Sequence, residues 1–585
     1  MKELQYLNKY FIKYKFQFLL GIVITIAAQI FSLFTPQFIK NSLNAVEDAH
    51  KTGHSIASIK ADLNENILLI IATTLIAGVL TFFMRQTIIV MSRHVEFDLK
   101  NEVFRQYERL SQNFYKQNRT GDLMNRISED VGKVRQYVGP AVMYSLNTVI
   151  RFVVIAGHMI IISPKLTFYT LLPLPLLAYF IYKISSEINK RSTLYQQNLS
   201  KLSTFTQEMF SGIRVIKAYA LESQKQDDFT VLSRDSKNKN MSLAKVNALF
   251  GPLMILLIGI SNLVVIYVGG VMYIDGSIKD IGTIVQFVLY INMLTWPVAS
   301  LGWISSMIQE AEASQKRINE FLKTEPEIKN ENHGRTIIKG EIAFDNVTFT
   351  YEDTNITALK NVSFNVGKGQ TLAILGATGS GKSTILSLIS RLYDVQQGII
   401  TVDGIALKNL NLDDLRNSIG FVPQDAFLFS DSIKNNIKFG NEDATDDEVI
   451  TVAKKAVVHD NIKAFNKQYE TILGERGITL SGGQKQRVSI ARAMIKDAPI
   501  LLLDDCLSAV DTETEEAILN NLMEFCRDKT TIIVSHRVSS AKNADSIIIL
   551  DGGKIIQQGT HNQLVSEAGY YKELYLKQLS EKEME

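Results

Sequence analysis

The sequence predicts a multidomain membrane protein: a six-helix all-α transmembrane domain with long cytoplasmic helical extensions, followed by an α/β domain with a phosphate-binding loop. Three observations predict it. Six apolar segments fill the first 310 residues, short β-branched runs alternate with helical stretches after residue 332, and a full G-x-x-x-x-G-K-S match follows one of those runs.

The bulk figures set the frame. At 585 residues the chain is several times the usual single-domain length of about 100 to 200 residues, so at least two domains are expected. Sixty-two Lys and Arg against 60 Asp and Glu leave a net charge of +2, too little for a polyanion-attracting field, and nucleic acid is excluded as the main partner. The two cysteines, Cys506 and Cys526, lack metal-ligand spacing; they suit a reducing compartment and read as packing thiols. The 46% hydrophobic content conceals a division: residues 246–309 carry only Asp275, Lys279 and Asp280 as charges, whereas the last 250 residues are charged throughout.

A bilayer core about 30 Å thick needs about 20 mostly apolar helical residues. Segments at about 16–39, 66–88, 137–163, 166–186, 246–274 and 281–309 meet or approach that requirement. Buried helices of a soluble protein rarely run uncharged beyond about 14 residues, which disfavours the bland reading. The connections alternate in length. The two long ones, 85–135 and 183–245, hold 10 and 11 Lys and Arg, against five on the other side. That excess, with Lys2, Lys9, Lys13 and Lys15, places both termini, the long loops and the soluble domain in the cytoplasm, with the chain in the cytoplasmic (inner) membrane. The first run is too long for the core of a cleaved signal peptide. Both long loops read as helical, so segments 2 to 5 are expected to continue beyond the bilayer as a stalk. Residues 1–15, with Leu4, Tyr6, Leu7, Tyr10 and Phe11 among lysines, read as an amphipathic helix at the interface.

Polar groups at membrane depth are costly and usually face a cavity. Arg151 is therefore a candidate for a translocation path, or else it snorkels or pairs with a neighbouring helix. Gln29, Asn147, Asn262, Gln286 and Asn292 are weaker candidates, and Pro173, Pro175 and Pro297 are expected to kink their helices.

Residues 310–332 form a polar linker, which sets the expected domains at 1–325 and 326–585. The run 371–375 reads as a strand. Gly376, Ala377, Thr378, Gly379, Ser380, Gly381, Lys382, Ser383 and Thr384 follow it and open a helix. In that context backbone N–H groups converge on phosphate oxygens, Lys382 reaches the β and γ phosphates of ATP, and Ser383 offers a hydroxyl to Mg²⁺. The apolar run 500–503 ends in Asp504, the arrangement of a Walker B carboxylate that holds Mg²⁺.

Between these motifs stand Leu480, Ser481, Gly482, Gly483 and Gln484. With LSGGQ in place the chain resembles ATP-binding cassette exporters, of the type that fuses six membrane helices to one nucleotide-binding domain. The resemblance covers essentially the whole chain, including residues 120–131 and 211–219, similar to the segments around the family's coupling helices. It implies that Tyr351 stacks on adenine, that Gln424 touches Mg²⁺ and senses the membrane domain, that Glu475 belongs to a loop near the coupling helices, that Ser508 to Asp511 form the D-loop, and that His536 is the switch histidine at the γ-phosphate. The signature Ser481, Gly482 and Gly483 opens a helix, a second anion site; in the family it faces ATP held by an opposite domain. Two chains are therefore implied, as a homodimer or with a related partner.

One position departs from the family. The catalytic base, usually Glu after the Walker B Asp, is here Asp505. Asp is one methylene shorter, and a misplacement of about 1 Å can cost about 100-fold in rate. A degenerate subunit of a heterodimer and a homodimer with a slow base both fit. The resemblance implies ATP-driven export or leaflet flipping of a lipid, drug-like or other hydrophobic substrate by alternating access; an ATP-gated channel or regulatory membrane protein on the same scaffold is the alternative.

Overall fold

A backbone in lipid must satisfy its own hydrogen bonds, and the first 324 residues accordingly fold as helices joined by short breaks. The computed structural model describes residues 2–52, 56–474, 477–507 and 512–584. They form two compact units, one of Met1–Glu108 with Thr120–Thr324 and one of Arg109–Arg119 with Glu325–Glu585.

In the first unit the long helices are Lys15–Thr52, Ile56–Arg109, Glu222–Ile274 and Ile281–Leu322. The 53 residues of Glu222–Ile274 make a rod of about 80 Å at about 1.5 Å per residue. That far exceeds a bilayer core of about 30 Å, so the charged loops do continue their spans as helix. Between Thr120 and Ile162 the chain stays helical through two π-turns, Arg126–Asp130 and Tyr137–Ala141. Pro140 sits in the second, where its missing N–H removes a helical bond.

Among the described residues five helices are long and apolar enough to cross a membrane: Lys15–Asp48, Ile59–Arg109, Thr120–Ile162, Glu222–Ile274 and Ile281–Leu322. The count of six is thus not reached. The missing span, expected at 166–186, is divided between Pro164–Leu171 and Pro173–Ser211. The break falls at Pro173 and strands eight residues on one side. In four of the five spans 11 to 22% of the apolar window is buried, against 50% in Ile281–Leu322. This last helix is the hub, and the others turn side chains such as Val23, Leu68, Leu75 and Leu263 outward.

The N-terminal turn Glu3–Leu7 and helix Asn8–Lys13 bury Leu4, Leu7 and Tyr10. Their polar groups are spent on the protein: Tyr6, Lys9 and Tyr10 converge on Glu102, and Lys13 and Tyr14 on Asp98. The segment expected to lie along the interface is therefore tied to helix Ile56–Arg109, with Ile12 and Phe16 left facing outward.

The second unit carries two sheets. Strands β1 (Ile342–Tyr351), β2 (Ile356–Val366), β4 (Gln397–Val402) and β5 (Ile405–Ala406) form an antiparallel sheet in the order β2-β1-β4-β5. Strands β3 (Thr371–Gly376), β6 (Ile419–Val422), β7 (Ile500–Asp504), β8 (Thr530–Val534), β9 (Ser546–Asp551) and β10 (Lys554–Gly559) form a second sheet in the order β10-β9-β3-β8-β7-β6. This sheet is parallel except for the β9–β10 hairpin. Every residue of β3, β7 and β8 is buried, as expected for parallel strands covered on both faces. Cys506 and Cys526 are free and buried, and burial raises both thiols, so neither is a reactive group.

Leu502, fully buried at the centre of β7 among Leu372, Ile385 and Ile532, sets the scale of this core. Leu502→Ala should destabilise the soluble unit by about 2 to 5 kcal/mol, read as a lowered first transition in a thermal melt of the purified chain.

Candidate nucleotide site

In an open parallel sheet the carboxyl ends of the strands point one way, and the loops that leave them meet. Four such loops meet here. The loop after β3 runs through Gly376 and Gly381 into helix Lys382–Ile389. Gly376 has φ +152°, and a Cβ there would lie 2.0 Å from the Leu550 carbonyl oxygen; Gly381 has φ +102° and would meet the Ala358 oxygen at 2.3 Å. Neither turn admits a side chain. Asp504 ends β7, Gln424 follows β6, and His536 follows β8.

These ends line one cavity of about 490 Å³, which gathers Thr378, Gly379, Gly381, Lys382, Ser383, Thr384, Gln424, Asp504, Asp505 and His536 with Tyr351 at the rim. Gly376 and Ser380 shape the loop from behind; the Ser380 hydroxyl is buried without a hydrogen-bond partner. Lys382 Nζ donates to the Gly376 and Ala377 oxygens at 2.9 and 2.8 Å. Ser383 Oγ donates to Asp504 Oδ1 at 2.8 Å. Asp505 adopts φ +42°, a left-handed conformation that Asp tolerates, and its N–H donates to Val534 O at 2.9 Å.

Burial dominates the electrostatics. It pushes the Lys382 ammonium below the usual lysine value, opposed by Asp505 and Asp504, and it raises the Asp504 carboxyl above the ordinary Asp range, opposed by the Ser383 bond. A buried carboxylate kept partly uncompensated beside a hydroxyl is a hard-oxygen pair suited to Mg²⁺. No cluster of three or more His, Cys, Asp or Glu exists among the described residues, so these two oxygens fit an ion that arrives with phosphate ligands.

The site's chemistry is that of a triphosphate, and the comparisons carry the same pattern across the chain. The ABC transporter transmembrane region family matches residues 18–298, and the ABC transporter family matches 359–508. The multidrug resistance-like ATP-binding protein MdlA of Escherichia coli (strain K12) is 38% identical over 87% of this chain and 87% of its own. The chain belongs to the ABC transporter family. The probable multidrug resistance ABC transporter ATP-binding/permease protein YheI of Bacillus subtilis (strain 168) is 35% identical over 98% of this chain and 97% of its own. The ATP-dependent lipid A-core flippase of Syntrophus aciditrophicus (strain SB) is 32% identical over 88% and 85%. A solved structure, a bacterial Atm1-family ABC exporter with ATP bound, superimposes with a TM-score of 0.81 at 25% identity, covering 96% of this chain and 99% of that one.

The ABC signature is not part of the cavity. Ser481 caps helix Gly482–Ile495, its Oγ accepting from Gln484 N at 3.3 Å while Gln484 Oε1 accepts from Ser481 N at 3.0 Å, a capping box that leaves the helix N-terminus outside the residues lining the Lys382 site. Glu475 and the D-loop residues Ser508 to Asp511 lie outside the described residues.

Two groups of residues were not anticipated from the sequence. Lys116, on the short helix Gln112–Gln117, holds its ammonium 4.2 Å from the Tyr351 ring centroid and 5.2 Å from that of Tyr393. Tyr351 Oη pairs with Thr384 Oγ1 at 3.1 Å. In the first unit a cavity of about 620 Å³ is lined by Trp296, Trp303 and Phe250 with Asn189, Asn247 and Ser306, and no lining residue is charged. The signal was present: Trp296 and Trp303 are the only tryptophans of the chain and stand seven apart on one helix face. The Arg151 guanidinium donates from Nε to Gln29 Oε1 at 2.7 Å, and Gln29 Nε2 to Asn147 Oδ1 at 2.6 Å, so three of the predicted polar residues form one chain of hydrogen bonds. Gln286 bonds Gln37 and Tyr290, the Asn262 Oδ1 is buried without a partner, and Asn292 is exposed.

A raised Asp504 pKa means that the folded protein binds its proton more tightly than the unfolded chain. The cost is absent below the ordinary Asp range and complete above the folded pKa, so stability falls as pH rises through that window. Asp504→Asn should accordingly raise the melting temperature of nucleotide-free protein at neutral pH, and the gain should vanish on acidification below about pH 4; thermal melts of both proteins across pH measure it.

Proposed function

We propose that the chain is an ATP-driven exporter of hydrophobic or amphipathic substrates, working as a dimer of half-transporters in the cytoplasmic membrane by alternating access. The observation that carries this reading is the meeting of Lys382, Ser383, Gln424, Asp504, Asp505 and His536 around one cavity, in a chain that also has helices able to cross a membrane. The multidrug and lipid A-core names of the relatives support the substrate class. So does the uncharged, tryptophan-lined cavity, which suits an apolar or aromatic group.

In this reading residues 1–325 form the membrane domain and 326–585 the nucleotide-binding domain, with residues 166–186 as the sixth span. Tyr351 offers a ring face to adenine. The backbone of Gly376 to Gly381 and Lys382 hold the phosphates, with Thr384 beside them. Ser383, Asp504 and Gln424 hold Mg²⁺, which supplies charge neutralisation at the transferring phosphoryl group. Asp505 polarises the attacking water and His536 contacts the γ-phosphate. Ser481, Gly482, Gly483 and Gln484 complete the site of the partner chain, which accounts for their separation from Lys382. Arg151 lies on the translocation path, where its Gln29 bond leaves the two terminal guanidinium nitrogens for other acceptors.

Lys382→Ala should abolish ATP-dependent transport by the dimer, measured as substrate uptake into inverted membrane vesicles; undiminished uptake would refute the assignment. Asp505→Glu lengthens the base by a methylene. It should raise the ATPase rate of the purified chain in lipid by about tenfold or more if reach limits the rate, and an unchanged rate would show that Asp505 is not the limiting group.

A further inference from the structure

The C-terminal helix Tyr570–Met584 packs one face into the soluble unit. Tyr571 is fully buried in a cluster with Val538, Ala541, Ile547 and Ile549, and its hydroxyl meets His561 Nδ1 at 2.6 Å; Leu574 and Tyr575 pack on the same cluster. The next position on that face, seven residues after Tyr571, is Gln578. A polar residue on an inward helix face needs a partner, and Gln578 has two. Its Nε2 donates to the His536 oxygen at 2.9 Å, and its Oε1 accepts from Val538 N–H at 2.8 Å. The orientation of the amide is fixed, because a carbonyl can only accept and an N–H can only donate.

The intervening residue, Arg537, is extended at φ −108° and ψ 132°. An extended residue sends the carbonyl before it and the N–H after it to the same side, and one side-chain amide spans them as a strand of a parallel sheet would. The same segment is held by a second residue. Glu515, almost fully buried, accepts from the Arg537 guanidinium, from Ser539 Oγ at 2.8 Å and from Ser540 Oγ at 3.4 Å. His536 thus projects into the nucleotide cavity from a backbone whose next peptide is clamped by a residue 42 positions further along the chain.

We propose that Gln578 is a positioning residue for ATP hydrolysis: its amide fixes the backbone of the His536 segment, so that the C-terminal helix sets where the imidazole stands relative to the γ-phosphate. The proposal rests on the role given to His536 above. Gln578 is not among the residues that line the nucleotide cavity, and its effect is on the chemical step. Gln578 is half-buried and is not a member of the Tyr571 cluster, so replacing it leaves that cluster intact.

The test is ATP hydrolysis by the full-length chain in lipid, with whatever partner chain co-purifies, for wild type, His536→Ala, Gln578→Leu, Gln578→Glu and the double variant His536→Ala/Gln578→Leu. Leu removes both bonds; Glu keeps the acceptor and replaces the donor with an oxygen that repels the His536 carbonyl. Both Gln578 single variants should lose about tenfold or more in kcat, with KM for ATP and melting temperature near wild type, and Gln578→Leu should have no further effect once His536 is Ala. Wild-type kcat in Gln578→Leu, with His536→Ala inactive, overturns the clamp and leaves the histidine's role standing. Parallel loss of kcat, ATP affinity and melting temperature in both Gln578 variants makes the residue a plain structural contact and also overturns it. Full activity of His536→Ala overturns both readings.

Discussion

The hydrogen bond from Ser383 to Asp504 joins the helix after the glycine-rich loop to the end of β7. Ser383 opens a helix whose position is dictated by two glycines at the end of β3, and Asp504 closes β7, two strands away across β8. Neither end can shift without the other. The glycines cannot accept a Cβ against the Leu550 and Ala358 carbonyls, and β7 is buried along its full length. The sheet therefore holds a hydroxyl and a carboxylate at a fixed separation, the kind of preorganisation that phosphoryl transfer requires. The raised Asp504 pKa is the electrostatic expression of the same arrangement: a carboxylate kept in a place that suits a cation better than it suits the carboxylate alone.

The membrane unit solves the opposite problem, since its surroundings cannot hydrogen-bond. It covers its polar groups with one another, as in the Arg151–Gln29–Asn147 chain and the Gln37–Gln286–Tyr290 chain. Side chains that its spans turn outward, such as Val23, Leu68, Leu75 and Leu263, are apolar. Where the long helices carry charge, Glu102 and Asp98 gather the tyrosines and lysines of the N-terminal segment, and Arg317 pairs with Asp130.

How much of this was legible in the sequence follows from the range of each interaction. The glycine-rich loop after β3 and the strand that ends in Asp504 could be read directly because their setting is local: a strand, a tight turn and a helix start within about ten residues. The reach of the helices beyond the bilayer was legible from unbroken helical patterns. The division at Pro173 was only half legible: the proline signalled a kink, but whether the chain bends or separates into two helices depends on packing that periodicity does not encode. Lys116 over Tyr351 and Gln578 on the His536 segment were not legible at all. Each joins residues far apart in the chain, and neither Lys nor Gln carries a pattern that marks it out from ordinary surface residues.

The eleven residues Arg109–Arg119 belong to the soluble unit while being flanked on both sides by the membrane unit. The nucleotide-binding half is thus discontinuous in the chain. During synthesis this segment emerges more than 200 residues before its partners Glu327 and Tyr393 exist, and it must wait, unsatisfied, until the last domain folds around it. Excision at the linker has the converse effect. A recombinant piece beginning near residue 325 would leave bare the patch that Gln112–Gln117 covers, and the Tyr351 ring would lose its ammonium. Nucleotide affinities measured on such a fragment would describe a ring with a different electron distribution from the one in the whole protein.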